Sequence, residues 1–377
     1  VKPHLQRLQP YLLEVTGNER IDHALAGVVH LCEMMFPDRI SGYYLVGSLG
    51  CGYAVTGSDI DLFMVFKNRL LPGEERKLEQ LMPPLWLLAS FDIDLKCLDE
   101  DNVRRLGLLG PGRCIFGKDV RLTPPSGTHV HLDLKRFAFY QSVNYFFRLR
   151  GNPHQLAPPL SYPDEEHPYK GYSSRPTHAL DGRLDPGLRE LLNNTLKPAS
   201  VLVDLATGEF NKDKQHIARL FGEYVDAGWV AYLEEVEYLV RRQWAGREPD
   251  QKDQKKQLQH LCQQALDFEN SVLGHYRAFI LAELQSEGGP CLLLSRTDIQ
   301  RFMPSLAEAV LVFLQKQPMS DNCLYEIAGF HHLLALNALA RLRFRDQEIT
   351  EIVALLAKTT DSPVAVAAAA LSGGDCK

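Results

Sequence analysis

A chain of 377 residues exceeds the usual size of one compact core, so two domains are expected. Hydrophobic residues make up 45% and charged residues 23%, which excludes wholesale disorder. The net charge of -6 is spread evenly along the chain, which disfavours a nucleic-acid partner without excluding it, because such binding draws on clustered Lys and Arg.

The eight cysteines are scattered, with no C-x-x-C pair and no His spacing that would build a zinc site. No segment offers the roughly 18 consecutive apolar residues that spanning a bilayer needs. A cytoplasmic protein with no membrane partner is therefore expected.

Along the chain, Ile21, Ala24, Leu25, Val28, Val29, Leu31 and Cys32 recur at helical spacing and predict an amphipathic helix from about residue 21 to 35, stopping at Phe36-Pro37. Tyr43-Tyr44-Leu45-Val46 reads as a strand ending at Gly47-Ser48. A glycine-rich stretch follows, with Gly50, Gly52 and Gly57, and then a second strand from about Asp59 to Phe66. A helix carrying Glu75, Lys77, Leu78 and Leu81 leads to Pro83-Pro84, and a third strand is expected from about Phe91 to Leu98. This mixed order predicts a small α/β sheet domain over residues 1–130.

From His131 to Arg150 the apolar and aromatic positions suit a helix buried on most sides. Residues 151–186 hold seven of the 22 prolines and no periodicity. They read either as a connector between helices or as a cover over an active-site cleft. Beyond residue 186 helices are expected at 188–196, 213–224, 229–244, 255–287, 297–315, 323–343 and 347–357, and the Ala-rich stretch 364–371 reads as a short packed helix or a frayed end. The fold class is thus α+β: a small mixed-sheet domain followed by an all-α domain over 131–377.

The chemistry is concentrated in Gly47-Ser48 and, after ten intervening residues that end in Ser58, in Asp59-Ile60-Asp61-Leu62. On a strand alternate side chains share a face, so Asp59 and Asp61 point the same way while Ile60 and Leu62 enter a core. Carboxylates about 7 Å apart at their Cα atoms can converge on two divalent ions about 3.5–4 Å apart. Magnesium takes hard oxygen ligands, normally one or two carboxylates plus substrate phosphates. Gly47 and Ser48 supply the complementary half: backbone N–H groups approach closely where no Cβ intervenes, and a hydroxyl can donate to a phosphate oxygen.

Together these residues resemble the signature of the DNA polymerase beta-like nucleotidyltransferase superfamily: glycine-serine, a gap of this length, then Asp-x-Asp. The resemblance covers roughly the first third of the chain. It implies that Asp59 and Asp61 hold nucleotide-bound Mg2+, that a third acidic residue on a later strand completes a site for two ions, and that Gly47, Ser48 and Ser58 bind the triphosphate. In Phe91-Asp92-Ile93-Asp94-Leu95 the preferred third carboxylate is Asp94, with Asp92, on the same face, as the alternative. Gly112-Arg113-Cys114-Ile115-Phe116-Gly117-Lys118-Asp119 looks like the stretch that closes the catalytic domain in bacterial members, and otherwise reads as a glycine turn.

The implied reaction is transfer of a nucleoside monophosphate to a hydroxyl, with ATP as the default donor and Asp94 as proton acceptor. A catalytic domain followed by helices resembles the aminoglycoside nucleotidyltransferases, which implies a small hydroxylated acceptor. The superfamily also modifies proteins and RNA ends, and a non-catalytic nucleotide-binding regulator is a further alternative. Lys212 and Lys214 are similar in outline to the Lys-bearing helix start that meets nucleotide phosphate in such helical domains. The basic residues at 252–256 and 341–345 read as solvated helix faces. The adjacent His331 and His332 point to different sides of a helix and read as structural.

Overall fold

The computed structural model describes residues 11–372 apart from 53, 55–57, 72, 75, 82–92, 107–111, 123–133, 151–155, 174–176, 179–183, 186, 209–215, 290, 317–324, 345 and 360–361. Among the described residues no helix is long and apolar enough to cross a membrane. The fold is α+β and divides into two compact units. The first comprises Val1–Leu134, Pro176–Gly187 and Val240–Arg247; the second comprises Lys135–Arg175, Leu188–Leu239 and Glu248–Lys377.

In the first unit α1 (Glu19–Met35) begins at Asn18, whose side chain accepts hydrogen bonds from the Arg20 and Ile21 amides. This cap satisfies two donors that a helix start otherwise leaves orphaned, and Glu19 and Asp22 complement the dipole in the first turn. Four strands form the sheet: β1 (Ile40–Val46), β2 (Ile60–Phe66), β3 (Ile93–Asp99) and β4 (Arg113–Gly117), in the order β3-β2-β1-β4. β1 is antiparallel to β2 and β4, whereas β2 and β3 run parallel. Parallel neighbours need a crossover, and the intervening chain carries a helix through 76–81 (α3).

The period-two alternation sorts the strands into two faces. Tyr43, Leu45, Ile60, Leu62, Met64, Phe66, Ile93 and Leu95 pack with Leu25, Val28, Val29 and Cys32 of α1 into the main core. Each such side chain, fully buried, is worth about 1.5–3 kcal/mol. The opposite face is split along its length. At one end Tyr44, Val65 and Leu98 are buried with Val103 of α4 (Glu100–Leu106) and Val120. At the other end the same face carries Asp61 and Asp94.

The second unit is built on α5 (Leu134–Arg150), α6 (Arg189–Thr207), α7 (Ile217–Tyr224), α8 (Val230–Glu235) and the 34-residue α9 (Lys252–Gln285). Phe139 of α5 packs on Tyr276 of α9 with ring centroids 4.4 Å apart. The helix expected to end at 196 runs through Pro198 to Thr207, because Ala199, Leu202 and Val203 are buried and their packing outweighs the missing donor. α8 continues as a π-helical segment, Val236–Gln243.

The second unit is helical, as expected, with a short two-stranded ribbon added. β7 (Leu292–Leu294) pairs antiparallel with β8 (Tyr325–Ile327), and both alternate buried, exposed, buried. The single helix expected at 323–343 is therefore a strand followed by α12 (Phe330–Leu339), separated at Gly329, whose φ of 68° lies in the left-handed region. The helix expected at 297–315 is likewise two, α10 (Arg296–Phe302) and α11 (Ala307–Leu314), because Pro304 bars the preceding residue from helical geometry. The last helices are α13 (Gln347–Lys358) and α14 (Pro363–Ser372). A further small ribbon in the first unit pairs β5 (Thr177–His178) with β6 (Leu184–Asp185).

Within the proline-rich stretch, residues 156–173 are stitched to α9. Arg150 donates to the Ser161 carbonyl and to the buried Glu269 carboxylate, Asn270 accepts from the Leu160 amide at 2.7 Å, and the Tyr172 hydroxyl donates to Glu269 at 3.0 Å. Burial pushes the Glu269 carboxyl up, while Arg150 and Tyr172 pull it down. Because Glu269 is 1% exposed, removing its cation leaves an uncompensated buried charge. Arg150→Met is expected to cost the second unit about 3–5 kcal/mol at neutral pH, read by chemical denaturation of the full chain. Arg150→Met combined with Glu269→Met is expected to recover much of that loss.

Candidate functional site

Three strand ends meet at one edge of the sheet, and the connectivity dictates it. β2 and β3 are parallel, so both begin there; β1 is antiparallel to β2, so it finishes there. Val46, the last residue of β1, lies opposite Asp61, and Asp61 lies opposite Asp94. Register partners share a face, with Cα atoms about 4.8 Å apart. The structure thus brings Asp61 and Asp94 side by side, with Asp59 immediately before β2 and two residues from Asp61. Asp92 lies outside the described residues.

The chain leaves β1 through a short helical turn, α2 (Gly47–Gly50), closed by the Cys51 amide on the Gly47 carbonyl. Gly47 has φ 64°, and a Cβ at that position would overlap the Asp61 carboxylate. Glycine is therefore required twice, by backbone conformation and by contact with the acid. Ser48 is buried within the turn, and Ser58 is half-buried. Gly57, Lys212 and Lys214 lie outside the described residues.

Two residues that the sequence reading passed over belong to this edge. Lys96, two positions beyond Asp94 on the same face, places Nζ 2.9 Å from Asp94 Oδ2 and 5.7 Å from the Phe63 ring centroid. Its position was legible from the period of two. Arg113 of β4 donates from Nη2 to the Leu49 carbonyl at 2.7 Å and so ties the helical turn to the sheet, a contact across 64 residues that no local pattern announces. Among the described residues no group of three or more His, Cys, Asp or Glu side chains lies close enough together to hold a metal ion.

Gly112–Asp119 forms β4 and the turn that pins it, not a glycine turn alone. The Tyr44 hydroxyl donates to the Lys118 carbonyl at 3.1 Å and accepts from the Val120 amide at 2.7 Å. Arg121 grips Asp119 at 2.7 Å and lies 5.1 Å from the Tyr44 ring centroid. Hydrogen bonds from Arg121 hold the Asp119 carboxyl below the usual carboxylate range. These contacts brace the middle of β1, the strand from which the Gly47 turn departs.

No protein-family model matches this chain, and no curated protein matches it.

Gly47→Ala is expected to lower stability by about 1–2 kcal/mol from its left-handed φ, read by chemical denaturation. Asp119 has a depressed pKa in the folded state, so its contribution is present above the unfolded value and lost as pH falls through the folded one. Asp119→Asn is therefore expected to lower the thermal midpoint at pH 7, with the deficit shrinking progressively as the pH falls below about 3.9. A deficit of the same size at every pH from 7 down to the acid limit of folding would contradict an electrostatic origin.

Proposed function

We propose that the chain is a metal-dependent nucleotidyltransferase that moves a nucleoside monophosphate from a triphosphate, with ATP the expected donor, onto a hydroxyl of a small acceptor of aminoglycoside type. The observation that carries this reading is the adjacency of Asp61 and Asp94 across the β2–β3 register, against a glycine whose missing Cβ makes room for the Asp61 carboxylate. Two like charges about 4 Å apart repel by about 1 kcal/mol in water and about 4 kcal/mol near a protein surface. Two carboxylates set side by side at the strand starts offer hard oxygen ligands to a divalent cation, for which the Lys96 ion pair on Asp94 would be exchanged.

The donor set fits Mg2+, being carboxylate oxygen without sulfur or imidazole. Asp59 and Asp61 would hold the nucleotide-bound ion, and Asp61 with Asp94 a second one. Bound there, the ions would supply charge neutralisation at the attacking and leaving oxygens. The chain's residues then have defined tasks. The Gly47-Ser48 turn presents backbone amides to the triphosphate, and Ser58 lies beside the first aspartate. Asp94 takes the proton of the acceptor hydroxyl. The hydroxyl oxygen bonds to the α-phosphorus as the α–β anhydride bond breaks, and pyrophosphate leaves with the bond's electron pair. Lys212 and Lys214 are carried as phosphate-binding candidates on the resemblance alone. A cytoplasmic address belongs to the same reading.

Incubation with α-32P-labelled nucleoside triphosphates, Mg2+ and a panel of aminoglycosides is expected to label a small acceptor. Asp59→Asn and Asp61→Asn are each expected to reduce transfer by at least about a hundredfold with the fold intact. Undiminished transfer in both variants removes the assignment. Label appearing only in macromolecules when cell extract replaces the panel would move the acceptor to a protein or RNA.

A further inference from the structure

We infer that Lys96 is a positioning residue, an internal counter-ion that holds the third carboxylate, Asp94, until a divalent cation displaces it. The inference rests on the metal-site reading above and concerns how that site is filled. β3 is an edge strand, so nothing beyond it in the sheet confines its outward side chains. The β2–β3 register sets Phe63 opposite Lys96, and the ammonium is held 5.7 Å from the ring centroid and 2.9 Å from Asp94 Oδ2. The ring face attracts the ammonium and keeps it over the acidic end of the strands.

Asp61 and Asp94 are register neighbours of like charge, and Lys96 supplies a cation to Asp94. The pair is also easily given up, since the two side chains are 46% and 48% exposed. At that exposure the ion pair costs a competing cation no more than about fivefold in affinity. Lys96 engages Asp94 at a separation short enough to be an ion pair, 2.9 Å. Filling the site then exchanges one ion pair for another. It frees a cation at the open edge, beside the position the triphosphate takes.

The test is a Mn2+ titration of the nucleotide-free full-length chain, with free Mn2+ read by electron paramagnetic resonance. Lys96→Met is expected to bind Mn2+ about three- to tenfold more tightly than the parent chain, since both the competing pair and the repulsion between cations are gone. Lys96→Arg, which keeps the charge, is expected to bind as the parent does. Adding Lys96→Met to Asp94→Asn is expected to tighten binding by less than adding it to the parent, because the competing pair is already absent. Mn2+ affinity in Lys96→Met equal to that of the parent overturns the counter-ion role. If Asp61→Asn still weakens binding in that case, the metal site survives. If Asp61→Asn binds as tightly as the parent, the metal-site reading itself falls.

Discussion

The parallel register of β2 and β3 is the constraint on which everything else depends. Pairing Asp61 with Asp94 places two carboxylates at one level of the sheet, and pairing Val46 with Asp61 delivers the Gly47 turn to the same level. A one-residue slip would turn every side chain of a strand to the opposite face. Such a slip would bury the acids in the main core and expose Ile60 and Leu62, so the hydrophobic effect that fills the core also fixes where the acids stand. Register is thus specified by apolar residues that take no part in chemistry.

The acidic face is not acidic throughout, and its division explains why the site is open. Toward the far end of the strands Val65, Leu98 and Tyr44 are sealed by Val103 and Val120, whereas Asp61 and Asp94 stand beyond that cover. Carboxylates keep their charge where water or a cation reaches them and lose it where burial forces protonation. Asp94 and Lys96 are about half exposed, so this end of the face is open to solvent. Arg113 and the Tyr44–Asp119–Arg121 clamp contribute rigidity, fixing the turn and its strand.

Much of this was legible in the sequence. Period-two alternation located β2 and β3 and period 3.6 located α1, while the placing of Asp61 beside Asp94 rests on the β2–β3 register. The paired order β3-β2-β1-β4 was not legible, because it rests on contacts between residues far apart in the chain. Pro304 marked a helix break that apolar periodicity concealed, and Leu292–Leu294 with Tyr325–Ile327 are too short to announce strands without each other. The Arg150–Glu269 pair joins residues 119 apart and has no local signature. Lys96 was within reach, since the rule that aligned the aspartates also aligned a lysine with them.

The central claim, that Asp61 and Asp94 share cations opposite Gly47, is tested most directly by a crystal structure grown with Mn2+ and a non-hydrolysable nucleoside triphosphate analogue. The account requires anomalous manganese density within coordination distance of both carboxylates, with the phosphates against the Gly47-Ser48 turn. Manganese bound away from either carboxylate, or phosphates bound elsewhere, would contradict it.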